Sequence, residues 1–250
     1  MTTDLLTEAA VRPFLRGRLG APYTWLAECT STQDVLRGTD APEGAIVVTE
    51  HQTAGRGRAG RVWEDGTSRA ILASVLLRPE PTTEVAQLSL VVGLAVAEAM
   101  EALAGRAAMV KWPNDVIIDD RKVAGILLEA DSTGVVCGIG VNVNQAADEL
   151  PGNTSLPAGS LALVTGDVHD RAPLLAAILA TLEERYDTWR ALGLGSLLPA
   201  LEARNWLRGR QVATGVGNGI AGDLTADGRL QLELPDGTTI AVGSTEIVPT

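Results

Sequence analysis

The spacing of apolar and polar positions divides the chain into helical and extended pieces. Within Thr7–Leu19 the apolar residues Ala10, Val11, Phe14 and Leu15 fall near helical spacing, which predicts a short amphipathic helix before the breakers Gly20 and Pro22. Tyr23–Ala27 reads as a strand. The run from Glu28 to Thr32 then turns into a second helix, with Thr30 or Ser31 as its N-cap. Strands are predicted over Ala45–Glu50 and Ala70–Leu77. After a break at Pro79 and Pro81, apolar residues at Val85, Leu88, Val91, Val92, Ala95, Ala99 and Leu103 predict a helix over Glu84–Leu103 with a core-facing stripe. Met109–Trp112 reads as a strand ending at Pro113. Val116–Ile118 and Lys122–Glu129 read as a hairpin around Asp119, Asp120 and Arg121, and Val135–Val143 supplies another strand. A loop rich in Pro, Gly, Asn and Ser covers Asn144–Gly159. A long helix over Arg171–Leu192 and a shorter one over Leu197–Asn205 follow it.

Strands in near succession with helices at the ends predict an α+β fold, a mixed or antiparallel sheet with helices packed on one face. Beyond Trp206 the pattern changes to short extended pieces near Gln211–Thr214, Gly222–Thr225, Leu230–Leu234 and Thr239–Val242. Turns such as Asp227-Gly228 and Asp236-Gly237 separate them. The expected organisation is therefore a main domain over residues 1–206 and a small all-β domain over 207–250. Gly215, Gly217 and Gly219 read as a turn of that module, because no helix follows them to make a phosphate site.

Composition narrows the function classes. A formal net charge of −11 leaves no broad basic face for nucleic acid. Two cysteines, Cys29 and Cys137, and two histidines, His51 and His169, offer no metal-ligand spacing. The N-terminus carries acids and no basic run, so it does not read as a signal peptide. The longest apolar run, Leu88–Ala97, is too short to span a bilayer. These features predict a soluble cytoplasmic protein with no membrane or nucleic-acid partner.

Against this acidic background Gln52–Trp63, QTAGRGRAGRVW, stands out. Gly55–Arg61 holds three glycines and three arginines with no acid. Glycines let several backbone N–H groups approach one anion, and guanidinium forks match phosphate or carboxylate oxygens. Gly55, Gly57 and Gly60 formally satisfy the G-x-G-x-x-G dinucleotide fingerprint. That reading fails because the fingerprint needs a helix starting inside the motif, whereas Arg61–Ser68 has no helical periodicity and contains Gly66. The stretch is expected to join two strands and to be mobile until a ligand orders it.

Three polar islands interrupt otherwise apolar strands: Lys111-Trp112-Pro113-Asn114-Asp115, Lys122 opening Lys122-Val123-Ala124-Gly125, and Asn142 with Asn144. Singly, each has a plain explanation as a solvated lysine or a turn-capping asparagine. Together with the arginine loop they are the groups an anion site requires.

The order STQD, QTAGRGRAGRVW, KWPNDV, KVAGILLE and GIGVNVN, spread from Ser31 to Asn144, resembles the biotin protein ligases. The resemblance implies a catalytic domain like that of class II synthetases and a C-terminal SH3-like β-barrel. It also implies a reaction in which biotin is activated by ATP to biotinyl-5'-AMP and passed to a lysine of a biotin carboxyl carrier domain. Biotin and ATP are then the substrates, and Mg2+ arrives with ATP. By resemblance, Ser31, Thr32, Gln52, Gly55, Arg56 and Gly125 bind biotin. Arg58, Arg61, Trp63, Lys111, Asn114, Lys122 and Asn142 bind ATP or the adenylate, with Trp63 stacked on adenine. Lys122, Arg56, Arg58, Arg61 and Asp115 carry the chemistry, and Asp115 orients or deprotonates the incoming amine. Only about 30 residues precede Ser31, roughly half a winged-helix domain, so a ligase without repressor function is expected, as a monomer or weak homodimer. The alternative is a lipoate- or octanoate-type acyl ligase or transferase of the related fold. A thioester route there would need Cys137 or Cys29.

Overall fold

The computed structural model describes residues 4–64, 68–79, 84–152, 154–243 and 247–250. Gly66 and Pro81, both used in the sequence reading, lie outside the described residues. A seven-stranded sheet has the order β1-β2-β3-β7-β6-β5-β4: β1 (Tyr23–Leu26), β2 (Ile46–Thr49), β3 (Ala70–Leu77), β4 (Met109–Lys111), β5 (Asp115–Ile118), β6 (Arg121–Asp131) and β7 (Gly134–Asn142). Only β1 and β2 are parallel; the other neighbours are antiparallel, so the sheet is mixed as expected.

The two faces of the sheet differ in side-chain size, and this difference makes the site. Successive residues of a strand point to opposite faces. On one face Ile71, Ala73 and Val75 of β3 join Cys137, Ile139 and Val141 of β7 in the main core. The long helices α3 (Val85–Ala104) and α5 (Arg171–Leu192) pack there. On the other face β3 presents Leu72, Ser74 and Leu76, and β7 presents Val136, Gly138, Gly140 and Asn142. Helix α2 (Thr32–Leu36) covers only one end of this face, through Leu36 against Val47, Leu76 and Val136. Helices therefore lie on both faces, which corrects the one-face expectation. The remainder of the second face lines a cavity.

Elsewhere the first helix is shorter than its periodicity suggests. Helix α1 spans only Glu8–Val11, because Pro13 has no N–H to continue the ladder and Phe14 is left exposed. The hairpin turn is formed by Asp119 and Asp120 alone, both at positive φ, a two-residue turn whose twist suits the flanking strands. Arg121 already belongs to β6.

Two short elements went unforeseen: α4 (Leu161–Thr165), capped by Ser160, and β12 (Ile247–Pro249). After α6 (Leu198–Ala203), β8 (Gln211–Thr214), β9 (Gly217–Leu224), β10 (Leu230–Glu233), β11 (Thr239–Val242) and β12 make a five-stranded antiparallel sheet in the order β11-β10-β9-β8-β12. Gly217 and Gly219 lie in β9 rather than in the turn, which leaves Gly215 and Val216 at the bend. Its apolar residues, including Val212, Leu230 and Ile247, belong to the same hydrophobic cluster as α3 and α5. Taken whole, α3 is long and apolar enough to cross a bilayer, unlike the run Leu88–Ala97 considered alone. Two thirds (67%) of its most apolar 18 residues is buried within the protein, so it is a core helix.

Candidate active site

The cavity on the open face has a volume of about 580 Å³ and gathers Ser31, Thr32, Gln52, Arg56, Arg58, Arg61, Trp63, Lys111, Asn114, Asp115, Lys122, Gly125 and Asn142, but not Gly55, Gly60 or Asn144, whose amide instead bonds the His169 backbone. Ser31, Thr32 and Gln52 lie together. The pairing of β1 with β2 continues beyond both strands, with Cys29 N donating to His51 O at 3.1 Å and Thr53 N to Cys29 O at 2.9 Å, which holds Gln52 beside the start of α2. Gln52 Oε1 accepts from the Thr32 backbone N–H (2.9 Å) and lies 3.3 Å from Thr32 Oγ1. Ser31 occupies the N-cap position, yet its hydroxyl makes no cap bond. The helix start is thus satisfied by a residue 20 positions away, and the Ser31 hydroxyl faces the cavity instead. Ser74, absent from every sequence motif, holds the Thr32 hydroxyl at 2.7 Å.

The arginine stretch forms a small hairpin of its own. Trp63 N donates to Gly55 O (3.0 Å) and Gly57 N to Arg61 O (2.7 Å), around a 3-10 turn at Arg58–Gly60 in which Ala59 and Gly60 have positive φ. No α-helix begins here, in agreement with rejection of the dinucleotide fingerprint. Gly55 is needed for closeness: a Cβ there would lie 2.6 Å from the Trp63 carbonyl oxygen. Arg58 donates to Asn114 Oδ1 (3.3 Å), and Arg61 Nε to Arg58 O (3.3 Å). Arg56 is gripped by acids that the sequence reading missed. It forms a fork with Asp34 of α2 at 2.9 and 2.7 Å and reaches Glu129 of β6 at 3.2 Å.

The Arg56 hydrogen bond holds the Asp34 carboxyl below its usual range. A depressed folded-state value stabilises the fold above the unfolded carboxylate range, and that contribution is lost as pH falls through the folded value. The pair is a latch between loop and helix. Asp34→Asn is expected to leave the fold intact while speeding tryptic cleavage after Arg56, Arg58 and Arg61; an unchanged cleavage rate would exclude the latch.

Lys122 reaches the cavity because β6 is irregular. Val116 pairs with Ala124 but Ile117 pairs with Lys122, so Val123 is an extra residue. In a regular strand Lys122 would share the face of Ala124 and Ile126 and point into the core. The bulge turns it to the face of Gly125 instead. Its ammonium lies 2.7 Å from Asp115 Oδ1, an ion pair whose angles fall outside hydrogen-bond geometry, and Lys111 lies 3.7 Å from Asp115 Oδ2. Asp115 therefore sits between two lysines and holds the Lys122 head group over the cavity floor. Asn114 Nδ2 donates to Ile126 O (2.8 Å), so this asparagine also locks β5 to β6.

Asn142 is 5% exposed. It donates to Gly159 O (2.9 Å) and accepts from Gln145 Nε2 (3.0 Å), which fixes its amide orientation. Trp63 lies on Gly125 and Gly140, which occupy the spot where side chains would meet the ring. The glycine spacing in Gly138-Ile139-Gly140, period two between buried apolar residues, was a legible sign that one face of β7 is kept bare.

Cys137 is on the core face, and burial pushes its thiol up to about 12. Neither cysteine lines the cavity. Among the described residues no group of three or more His, Cys, Asp or Glu side chains could hold a metal ion. The cavity thus offers the hydroxyls and amide of Ser31, Thr32 and Gln52 together with the cations Arg56, Arg58, Arg61, Lys111 and Lys122. Such a site can bind a neutral polar head group and bring two anions together.

The sequence profile of the Biotin/lipoate A/B protein ligase family matches residues 26–144. A biotin–[acetyl-CoA-carboxylase] ligase of Mycobacterium tuberculosis is 36% identical over 217 residues, 82% of this chain and 79% of that protein. The bifunctional ligase/repressor BirA of Bacillus spizizenii is 37% identical over 198 residues, 75% of this chain; the chain spans 61% of that relative's length. Among solved structures, the biotin protein ligase of Aquifex aeolicus in complex with biotin and ATP superposes with a TM-score of 0.83 at 31% identity, covering 90% of this chain and 98% of that one.

Proposed function

The chain belongs to the biotin protein ligases, within the biotin/lipoate A/B protein ligase family, and on that premise we propose that it activates biotin with ATP and transfers the biotinyl group to a lysine of a carrier domain. A carboxylate oxygen of biotin attacks the α-phosphorus, and the bond to pyrophosphate breaks. The lysine nitrogen then attacks the acyl carbon, AMP leaves, and the amine gives up a proton. The first step brings two anions together. Positively charged donors cancel that repulsion and stabilise the charge that grows at phosphorus. The observation that carries this reading is the make-up of one cavity, which joins the hydroxyls and amide of Ser31, Thr32 and Gln52 to the cations Arg56, Arg58, Arg61, Lys111 and Lys122.

In this reading Ser31, Thr32 and Gln52 receive the ureido head of biotin; Gly125 borders that site beneath Trp63, and Gly55 shapes it from outside the lining by closing the hairpin on Trp63. Arg56, Arg58, Arg61 and Lys122 act on the carboxylate and phosphates. Trp63 and Asn142 receive adenine, and Lys111 and Asn114 support the phosphate side. Asp115, held by two lysines, orients the Lys122 ammonium and the incoming amine. The magnesium that accompanies ATP enters as part of the substrate, with no protein ligand assigned. The carrier is that of a biotin-dependent carboxylase in the cytoplasm, consistent with the acetyl-CoA-carboxylase ligase of M. tuberculosis. Residues 1–206 form the catalytic unit and 207–250 the appended β unit. A thioester-based acyl transfer is disfavoured, because no thiol reaches the cavity.

The test is incubation with ATP, magnesium, biotin and a biotin carboxyl carrier domain, followed by mass spectrometry. One biotinyl group per carrier is expected. An unmodified carrier, or equal modification with lipoate or octanoate in place of biotin, would overturn the proposal.

A further inference from the structure

Gly125 and Gly140 are cross-strand partners, side by side on the cavity face of β6 and β7. Neither has a positive φ, so backbone conformation does not require glycine at either position; space does. A Cβ on Gly140 would lie 2.6 Å from both Cε2 and Cζ2 of Trp63, and one on Gly125 would lie 2.8 Å from its Cζ3. The six-membered ring of the indole therefore spans both glycines. Leu72 and Asp115, the strand partners of Gly140 and Gly125, continue the same row. With the indole in place a cavity of about 580 Å³ is still open and Trp63 is one of its walls. The Lys122 ammonium lies 5.6 Å from the ring centroid, so the seated ring lies beside one of the cavity's cations. Its Nε1 is buried with no hydrogen-bond partner among the described residues, so packing on the two glycines is what holds the ring there.

We propose that Gly140, with Gly125 beside it, is the seat of Trp63, and that this seat sets how tightly the enzyme holds the nucleotide by fixing the indole as a flat stacking surface. The proposal rests on the biotin ligase reading above. Gly140 is then a positioning residue that acts through Trp63, and its influence stops short of Ser31, Thr32 and Gln52. A methyl at position 140 cannot be absorbed by bending a flexible side chain, because both close atoms belong to one rigid ring; the whole indole must shift off the two glycines.

Gly140→Ala is expected to raise the KM for ATP by about tenfold or more, the scale of losing one base–aromatic stack. Biotin affinity measured without ATP should change little. If the indole were a plug in the nucleotide's place, dislodging it would lower the KM for ATP; a fall or no change overturns the seat. Trp63→Ala should raise the KM similarly, and Gly140→Ala added to it should cost nothing more. An equal further loss in the double variant would mean that Gly140 acts independently of Trp63. A readout independent of activity is 19F NMR of protein carrying 5-fluorotryptophan, with the Trp63 resonance assigned by Trp63→Phe. Gly140→Ala should shift that resonance and leave those of the other four tryptophans in place. An unmoved Trp63 resonance overturns the seat even if the wild-type protein proves not to ligate biotin. A shifted resonance in a protein without ligase activity would instead mark failure of the functional reading alone.

Discussion

Lys122→Ala is expected to abolish adenylate formation while the protein remains folded. The Lys122 side chain is one-third exposed (32%) and faces the cavity, so its removal opens no core void. Its charge sits 2.7 Å from Asp115 and in the cavity where the carboxylate and phosphate must meet. Removing one such preorganised donor costs on the order of 3 kcal/mol in the barrier, roughly a hundredfold in rate. Here the loss should be larger, because Asp115 is then left to repel the incoming anions with only Lys111 beside it. Pyrophosphate release in the presence of biotin and ATP measures the step. A variant releasing pyrophosphate at the wild-type rate would refute the role of Lys122.

Arg171→Ala should be the most damaging substitution for stability. Arg171 is fully buried at the first turn of α5. It donates to Asp4 Oδ2 at 2.9 Å, Glu50 Oε2 at 3.0 Å and the Ala70 carbonyl at 2.7 Å, and also to the Asp4 carbonyl. The other oxygen of Glu50 accepts from the Leu6 N–H and from Trp25 Nε1. Taking away the guanidinium strands the Glu50 carboxylate, 6% exposed, in the interior. Breaking a buried pair in this way costs about 3–5 kcal/mol. For a chain of this size that corresponds to a fall in Tm of roughly 6–20 °C, read by thermal unfolding. Glu50→Gln combined with Arg171→Met should lose less than Arg171→Met alone, because no uncompensated charge remains. A Tm within about 1 °C of wild type for Arg171→Ala would show that the pair carries no net stabilisation. The functional consequence follows from position, since Glu50 lies two residues before Gln52 and anchors the chain where it enters the loop.

Elements with strong periodicity were legible from the chain alone. The helix over Arg171–Leu192 and the strand over Ala70–Leu77 match their observed limits, because each carries an uninterrupted pattern with breakers at its ends. The N-terminal helix was overread because its apolar spacing ignored Pro13. Helix α4 and strand β12 are too short to set up a period. Chemistry was legible where it is written locally: glycines and arginines crowded into seven residues, and lysines interrupting apolar strands, need no partner to be noticed. Arg171 and Glu50 could not be paired by reading, as 121 residues separate them and neither breaks its local pattern.

The Gln52–Trp63 stretch, the paired glycines Gly138 and Gly140 of β7 and the polar islands were determined by sequence, since residue type at short spacing limits what backbone and charge can do. Tertiary structure alone decided where each of them points. The Val123 bulge turned Lys122 out of the core, and Gln52 took over the helix cap and left Ser31 to the cavity. Asp34 and Glu129 closed on Arg56, and two bare glycines received Trp63. Each of these outcomes depends on register between strands or on contact across tens of residues, and a linear pattern does not encode the distance between residues that only folding brings together.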